Sequence, residues 1–292
     1  MTTAGPAGEV FDLGYQRYEG AREGRGRARS ALFWDGVRIS LGLGRSASQK
    51  VLPWLFILLA IGPAIMIVVI ASFASQFGDA GEILGDFGNG SYFEFAFVPL
   101  LAFGVAVGPA LLCPDRRENV LALYLVRPLT SYDYVAARSF AFLAVSLVVT
   151  YLPQVVIFAT LTMTSRAPAT YLTENWLDVP RFVASGFVIS VFATSLAMAA
   201  ASLTDRRAVA TAGAIGLVLV LAAAAGLLHD VAGQAGRYLE LLQVPPTITT
   251  VNNWIFGEEV GPLPGVAYLG SVAGFVALFA VVTWNRYRRV RA

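Results

Sequence analysis

Cysteine, histidine and lysine, which serve as metal ligands, nucleophiles or phosphate-binding groups, each occur only once in this 292-residue chain. Cys113 is the only cysteine and His229 the only histidine, which excludes an internal disulfide, a multi-cysteine metal site and a paired-histidine zinc motif. Lys50 is the only lysine and follows Gln49, so the chain lacks the Gly-Lys-Ser/Thr sequence of a phosphate-binding P-loop. We therefore expect a chain that holds no metal or cofactor of its own and is not an enzyme.

A charged cluster offers a different kind of chemistry, the recognition of a partner. It lies at residues 115–118, at the start of a segment that runs from Cys113 to Arg138. We expect Pro114 to end the preceding element and the cluster to begin a short helix, with Leu121 and Leu125 one turn apart on one face. A helix of this kind suits a docking surface for another protein, and a solvated loop fits the same residues equally well.

The end of this segment carries further turn and cap signals. Pro128 breaks the expected short helix, and Ser131 is suited to cap the helix that follows. The segment is therefore predicted to contain a short helix and the beginning of the next helix, separated at Pro128.

The composition places these residues in a membrane protein. Hydrophobic residues make up 57% of the chain and charged residues 14%, where a soluble domain has about 25% charged residues. This composition excludes a soluble enzyme, a disordered tail and a nucleic-acid-binding domain. Apolar runs able to cross the roughly 30 Å hydrocarbon core recur six times, at residues 51–73, 95–112, 139–164, 182–203, 208–228 and 266–284. The sequence thus predicts an all-α integral membrane protein, with a six-helix domain at 51–292 after an N-terminal segment at 1–50.

Basic residues are divided unequally between the two ends of these spans. Eighteen of the 21 Lys and Arg residues precede the first span, follow the last, or lie between spans two and three or four and five. The other side holds only Arg166, Arg181 and Arg237. The positive-inside rule therefore predicts that both termini and the loop at 113–138 are cytoplasmic. The apolar outer loop at 229–264 is then expected to form short helices on or in the outer leaflet.

The six predicted spans contain no Asp, Glu, Lys, Arg or His. Because buried ionisable residues mark proton relays, this argues against a proton-driven transporter, and any uphill transport must take its energy from another chain. Small residues form faces suited to close helix packing, in span four at Ala193, Ala197 and Ala201 and in span five at Gly213 and Gly216. Such faces fit either packing within the chain or contact with a second subunit.

The segment before the first span carries an incomplete amphipathic pattern. Phe33, Val37 and Leu41 form a stripe with Trp34 beside it. An interfacial helix lying on the membrane surface explains this pattern, and a simple linker is the alternative.

The loop between spans two and three resembles that of a known family. Glu118 ends the charged stretch, and the leucine run, the proline and the acid of the family pattern stand at Leu123 and Leu125, at Pro128 and at Asp133. Two parts depart from that pattern. Asn119-Val120-Leu121 stands where the family has Gly-Thr-Leu, and Ala137-Arg138 replaces Gly-Lys. This pattern resembles the membrane subunits of ABC transporters of the ABC-2-type permease family, the exporter class. The segments at 11–20 and 42–46 also resemble bacterial, particularly actinobacterial, permeases of this kind.

The resemblance implies a six-span, type V exporter-like permease fold in the bacterial inner membrane. Two permease subunits, identical or similar, would form the pathway above two separate P-loop ATPase subunits, which bind the ATP and Mg²⁺. The loop after span two would act as the coupling helix that transmits ATP-driven motion. By position, this role falls to Asp115, Arg116, Arg117 and Glu118, with Asp133 and Arg138 as supports.

The resemblance also implies a pathway lined by spans two and five. The aromatic residues Phe95, Phe97 and Phe103 are its candidates. For Gln154 in the more polar span three, interhelical hydrogen bonding is the favoured role, and a substrate contact, which would make it a further pathway residue, is the alternative. An uncharged lining predicts a hydrophobic or amphiphilic cargo such as a drug, lipid or peptide. Two other functions stay open, a non-transporting scaffold or sensor subunit and an ATP-independent carrier.

Overall fold

The computed structural model describes residues 24–44, 47–77, 88–120, 129–229, 236–258 and 260–288. Within these ranges every regular element is a helix, so the prediction of an all-α chain is confirmed there. In chain order the helices are α1 (Gly24–Ser40), α2 (Ala47–Ala74), α3 (Asn89–Val107), α4 (Pro109–Arg117), α5 (Ser131–Thr164), α6 (Pro168–Glu174), α7 (Asp178–Leu203), α8 (Arg207–His229), α9 (Gly236–Leu239), α10 (Val244–Phe256) and α11 (Gly265–Arg288), with a 3₁₀ turn at Glu240–Leu242 after α9.

Among the described residues, six helical segments are long and apolar enough to cross a membrane. We number them spans one to six: Lys50–Ala74, Asn89–Arg117, Ser131–Thr164, Asp178–Leu203, Arg207–Leu228 and Gly265–Arg288. Each apolar run predicted from the sequence falls inside one of these segments. The chain therefore has the helices of a multi-pass membrane protein.

Several spans are longer than the apolar runs that predict them. Span three has 34 residues, or about 51 Å at 1.5 Å per residue, against a hydrocarbon core of about 30 Å. Its first two turns, which carry Asp133 and Arg138, therefore extend past the apolar layer. The helix therefore begins eight residues before the predicted apolar run, and its charged residues lie in this extension and not in the run.

The spans run alternately up and down. We call one end of the bundle the arginine-rich end. It consists of α1 and of residues 113–120, 129–138, 203–207 and 286–288. Contacts across this end join neighbouring spans, as in the stacking of Tyr132 on Trp284 at 4.0 Å between ring centroids. The end therefore collects the connections after spans two and four together with both described ends of the chain.

Spans two and four form the centre of the bundle. In their most apolar stretches 61% and 67% of the residues are buried, against 22% in spans five and six. A Cβ atom added to Gly104 of span two would lie 3.2 Å from the Cβ of Ala193 in span four, and Gly108 lies against Ala197 in the same way. The small residues of span four therefore serve packing within the chain.

The small-residue face of span five is different. A Cβ atom added to Gly213 or Gly216 would meet no atom within 4 Å. Within the described part of the chain this face has no packing partner. The small-residue faces of spans four and five look similar in the sequence but therefore have different surroundings.

Helix α10 packs on the bundle end opposite the arginine-rich one. The Ser185 hydroxyl donates to the side-chain carbonyl of Asn252 at 2.6 Å, and the Asn252 amide donates to the Gly90 carbonyl at 3.1 Å. The helix ends at Gly257, whose φ of 87° is the left-handed conformation that favours glycine at this position. The short helices expected between spans five and six are thus present, and α10 ties spans two and four together.

Helix α1 lies along the beginning of span three and packs one face against it. The buried residues are Leu32, Gly36 and Ser40. A Cβ atom added to Gly36 would lie 2.7 Å from the Cβ of Ala141. Because glycine lacks this atom, α1 and span three can lie close together along this face of α1. The expected stripe of Phe33, Val37 and Leu41 is therefore only partly buried, and Trp34 beside it is 59% exposed.

Candidate functional site

Span two ends in a defined helix terminus at the arginine-rich end. Helix α4 continues through Pro114 to Arg117, so the expectation that Pro114 ends the span is wrong. Proline's fixed φ fits a helix, which loses one backbone hydrogen bond there. Asn119 then adopts a left-handed conformation with φ 54°, and its amide and the next one donate to carbonyls of the last turn at 3.3 Å and 3.0 Å. The charged cluster thus closes span two instead of opening a new helix.

The beginning of span three also differs from the expectation. Its N-cap is Thr130 and not Ser131, because the Thr130 backbone is extended while Ser131 is already helical. The Thr130 hydroxyl accepts the Asp133 amide N–H at 3.3 Å, and the Asp133 carboxylate accepts the Thr130 N–H at 3.0 Å, which is a capping box. The short helix expected around Leu121 and Leu125, and Pro128 after it, lie outside the described residues.

Arg116 fastens the end of span two to the connection between spans four and five. Its guanidinium donates to the Ser202 carbonyl and pairs with the Asp205 carboxylate at 3.0 Å. One turn earlier, the Cys113 thiol donates to the Thr204 carbonyl at 3.3 Å. The free carbonyls at the end of span four are therefore satisfied by side chains from span two, and the two helix ends are held as one unit.

These two helix ends border an open cavity of about 940 Å³, which we call the arginine groove. Its lining includes four arginines, which are Arg116, Arg117, Arg206 and Arg207, and two acids, which are Glu118 and Asp205. Arg117 and Arg206 are exposed, whereas the Arg116 side chain is only 13% exposed because of its internal bonds. Guanidinium groups bind carboxylates and phosphates through paired hydrogen bonds. The groove therefore has the chemistry to bind an anionic group or an acidic protein surface.

Metal chemistry has no counterpart at this site. Across the residues that the structure describes, no cluster of three or more His, Cys, Asp or Glu side chains is arranged to hold a metal ion. The groove is lined mainly by cationic side chains.

Arg138 lies inside the protein at this end and not on the groove. Its side chain is 1% exposed and bridges the carboxylates of Asp35 on α1 at 2.6 Å and Asp115 on span two at 3.1 Å. The Tyr134 hydroxyl donates to the same Asp115 carboxylate at 2.7 Å. Asp115 and Arg138 thus join α1, span two and span three, and neither faces outward to meet a partner directly.

Asp133 has a similar internal role. It is 8% exposed and accepts hydrogen bonds from the Arg25 guanidinium at 2.6 Å and from Arg29 at 2.7 Å. Both arginines belong to the first turns of α1, so this carboxylate caps span three and anchors α1 at once. Of the six predicted coupling residues, only Arg116, Arg117 and Glu118 line the groove.

The candidate pathway residues also separate by burial. Phe97 and Phe103 are 2% and 0% exposed, and the Phe103 ring stacks on Phe142 at 5.5 Å. Gln154 is fully buried and exchanges hydrogen bonds with Asn89, at 2.6 Å and 2.9 Å. These three residues hold the bundle together, and Gln154 has the interhelical hydrogen bonds that the sequence favours for it. Phe95, which is 47% exposed, is the only one of the four at the surface of the chain.

Sequence reasoning missed half of the groove. Asp205, Arg206 and Arg207 stand in or directly after the short connection between spans four and five, which the local sequence does not place beside span two. The available signal was the pair of arginines in so short a turn on the basic side. The partners of Asp133, and Asp35 as one of the two partners of Arg138, were missed because they come from α1, about a hundred residues away in the chain.

Comparison with known proteins adds no relative. No family model matches the chain, and a search of curated proteins finds no match.

Proposed function

We propose that this chain is the membrane subunit of an ATP-driven exporter of the ABC-2 type, in a bacterial cytoplasmic membrane with both termini inside. Two copies, or one copy and a similar subunit, form the translocation path. Separate P-loop ATPase subunits bind ATP and Mg²⁺ and dock at the arginine-rich end. The chain is then not itself an enzyme, and its fold is the exporter type of permease fold.

The arginine groove is the observation that carries this proposal. Its cations stand at the bundle end that the positive-inside rule assigns to the cytoplasm, where a soluble ATPase is present. Arginine favours carboxylates on a partner surface, and exposed Arg117 and Arg206 come from two different connections. A partner seated in the groove would therefore contact the end of span two and the hairpin of spans four and five together.

The internal ion pairs give the groove a connection to the rest of the bundle. Arg116 joins it to the end of span four, and Asp115 next to it reaches span three and α1 through Arg138. Because spans two and four are the buried centre of the bundle, a displacement imposed at the groove reaches both. This supports a coupling role for the groove in place of a single coupling helix.

The proposed path lies on the open surfaces of spans two and five. Exposed Phe95 and the unpacked face at Gly213 and Gly216 are available to a second subunit. A path bounded by such uncharged surfaces suits a hydrophobic or amphiphilic cargo.

Charge reversal at the groove tests the docking proposal. The variant carries Arg117→Glu and Arg206→Glu, which leaves Arg116 and its internal bonds intact. We expect the ATPase that co-purifies with the chain from native membranes to be lost from this variant, because four units of charge change on the docking surface. The matched control, Arg166→Glu with Arg237→Glu at the opposite end, retains the ATPase.

Three other outcomes would overturn parts of the proposal. Equal ATPase retention by both variants, with unchanged transport, would remove the groove from the docking site. An ATPase that binds without cargo-dependent turnover would make the chain a scaffold or sensor subunit. Transport by the purified chain alone would make it an ATP-independent carrier.

A further inference from the structure

A second cavity of about 330 Å³ lies between spans three, four and six, apart from the arginine groove. Its wall includes Tyr132 and Leu143 of span three, Thr194 and Met198 of span four, and Ala280 and Trp284 of span six. Every lining residue belongs to one of these membrane spans, so the medium outside the cavity is the lipid bilayer. Its volume lies in the range of ligand pockets, which is about 300–1,000 Å³.

The wall of this cavity is mostly apolar, and three of its hydroxyls are bonded within their own helices. The Thr194 hydroxyl donates to the Ser190 carbonyl at 2.7 Å, and the Thr283 hydroxyl donates to the Phe279 carbonyl at 2.9 Å. The Ser195 hydroxyl is used in the same way within its own helix. Because these three hydroxyls are already bonded and most of the lining is apolar, a hydrocarbon chain is the occupant that matches the body of the cavity. The Tyr287 hydroxyl, which is buried and has no hydrogen-bond partner among the described residues, is left for a polar group at the end of the cavity nearest the arginine-rich end.

The position of the cavity matches the boundary between the headgroups and the apolar layer of one leaflet. From Tyr132 to Leu143 the lining follows span three for eleven residues, or about 16 Å, from the first two turns, which extend past the apolar layer, into the apolar run that begins at Ser139. The stacked rings of Tyr132 and Trp284 stand at the end of the cavity nearest the arginine-rich end. Tyr and Trp occupy the headgroup level of membranes, so this end is the level of a lipid headgroup.

The charge at this end indicates the type of headgroup. Span six continues past Trp284 to Arg286 and Arg288, both exposed in its last turn. Arg288 stands four residues after Trp284, on the same helix face. We propose that this cavity binds one acyl chain of an anionic phospholipid, whose phosphate lies beside Tyr132 and Trp284 within reach of Arg288. This site requires only that the chain spans a bilayer, and it is independent of ATPase docking.

Photo-crosslinking with a defined lipid tests the site. The whole chain is reconstituted in phosphatidylcholine bilayers that contain a phosphatidylglycerol with a diazirine on one acyl chain, irradiated, digested and analysed by mass spectrometry. We expect adducts to concentrate on the peptides around residues 132–143, 191–198 and 280–287. Adducts spread evenly over the exposed faces of spans one and five would overturn the proposal, because they would indicate ordinary solvation by lipid.

Two sets of variants make the test specific. Ala136→Phe with Ala280→Phe places two rings in the cavity, and we expect it to abolish the concentrated adducts, whereas Ala223→Phe on the exposed face of span five leaves them unchanged. Arg288→Gln should lower the labelling by phosphatidylglycerol about fivefold, the contribution of one arginine near a lipid surface. Unchanged labelling in the filled variant would refute the cavity. Equal labelling by a phosphatidylcholine probe in the native chain would refute the anionic headgroup.

Discussion

At the scale of single residues, the arginine-rich end separates exposed side chains, to which we assign partner docking, from buried side chains that hold the fold. Arg117 and Arg206 are exposed on the groove, while Arg138 is buried between two carboxylates. A buried cation is tolerated only when its charge and hydrogen bonds are matched by neighbours. The stability of this end should therefore depend on Arg138 far more than on the exposed arginines.

Replacing Arg138 with leucine should destabilise the protein strongly. The change leaves Asp115 enclosed by span three without its cation, and loss of one partner of a buried pair costs about 3–5 kcal/mol in free energy of unfolding. Reversible unfolding in mixed detergent measures this change. Adding Asp115→Asn to Arg138→Leu should restore part of the loss, because no buried charge is then left unmatched.

The control for this prediction is Arg38→Leu, an exposed arginine on α1. Exposed substitutions of this kind change the free energy of unfolding by less than about 0.5 kcal/mol. Equal effects of the two substitutions would contradict the structural role assigned to Arg138.

The sequence identified the charged residues at the end of span two but not their division into two roles. Asp115, Arg116, Arg117 and Glu118 are adjacent in the chain and look alike, yet a helix turns successive side chains by about 100°. Asp115 therefore points towards span three while Arg117 points outward. Which side is inward depends on the neighbouring helices, and this information is absent from the local sequence.

At the scale of helices, α1 depends on one glycine for its position. Gly36 lies against Ala141 of span three, while Gly26 in the same helix has no atom within 4 Å of an added Cβ. The two positions therefore provide a matched pair for one substitution.

Gly36→Val should detach α1 from span three. The added side chain would overlap Ala141, and overpacking of this kind costs about 1–3 kcal/mol. We expect faster hydrogen exchange across α1 and loss of protection where Asp35 pairs with Arg138. Gly26→Val makes the same chemical change in open space and should leave hydrogen exchange across α1 unchanged. If Gly26→Val speeds this exchange as much as Gly36→Val does, the contact between Gly36 and Ala141 does not hold α1 in place.

Element positions were predictable from the sequence where the lipid environment determines them. All six apolar runs lie inside spans, because a membrane-spanning helix needs a continuous apolar stretch. The ends of the helices were less predictable, since Pro114 stays within span two and Thr130 caps span three. Both depend on contacts with other elements, such as the pairing of Asp133 with Arg25 and Arg29.

At the scale of the whole molecule, the division of charge between the two bundle ends sets the orientation that the proposal needs. The arginine groove must face the cytoplasm for an ATPase to reach it. Single cysteines in a Cys113→Ser background test this orientation, with Thr173→Cys at the opposite end and Arg206→Cys at the groove.

A membrane-impermeant thiol reagent should label Thr173→Cys in intact cells and should label Arg206→Cys only after the membrane is opened. Both positions are exposed, so a difference in labelling reports the side of the membrane. The reverse pattern would place the groove outside the cell and would rule out ATPase docking there.

The central claim is that a separate P-loop ATPase drives this chain through its arginine-rich end. The most direct measurement is purification of the tagged chain from its native membrane in mild detergent, followed by mass spectrometry of the intact complex. We predict two permease subunits with two P-loop ATPase subunits, and loss of the ATPase from the Arg117→Glu and Arg206→Glu variant alone. A chain that emerges without an ATPase, and stays without one when ATP and lipid are supplied, would contradict the claim.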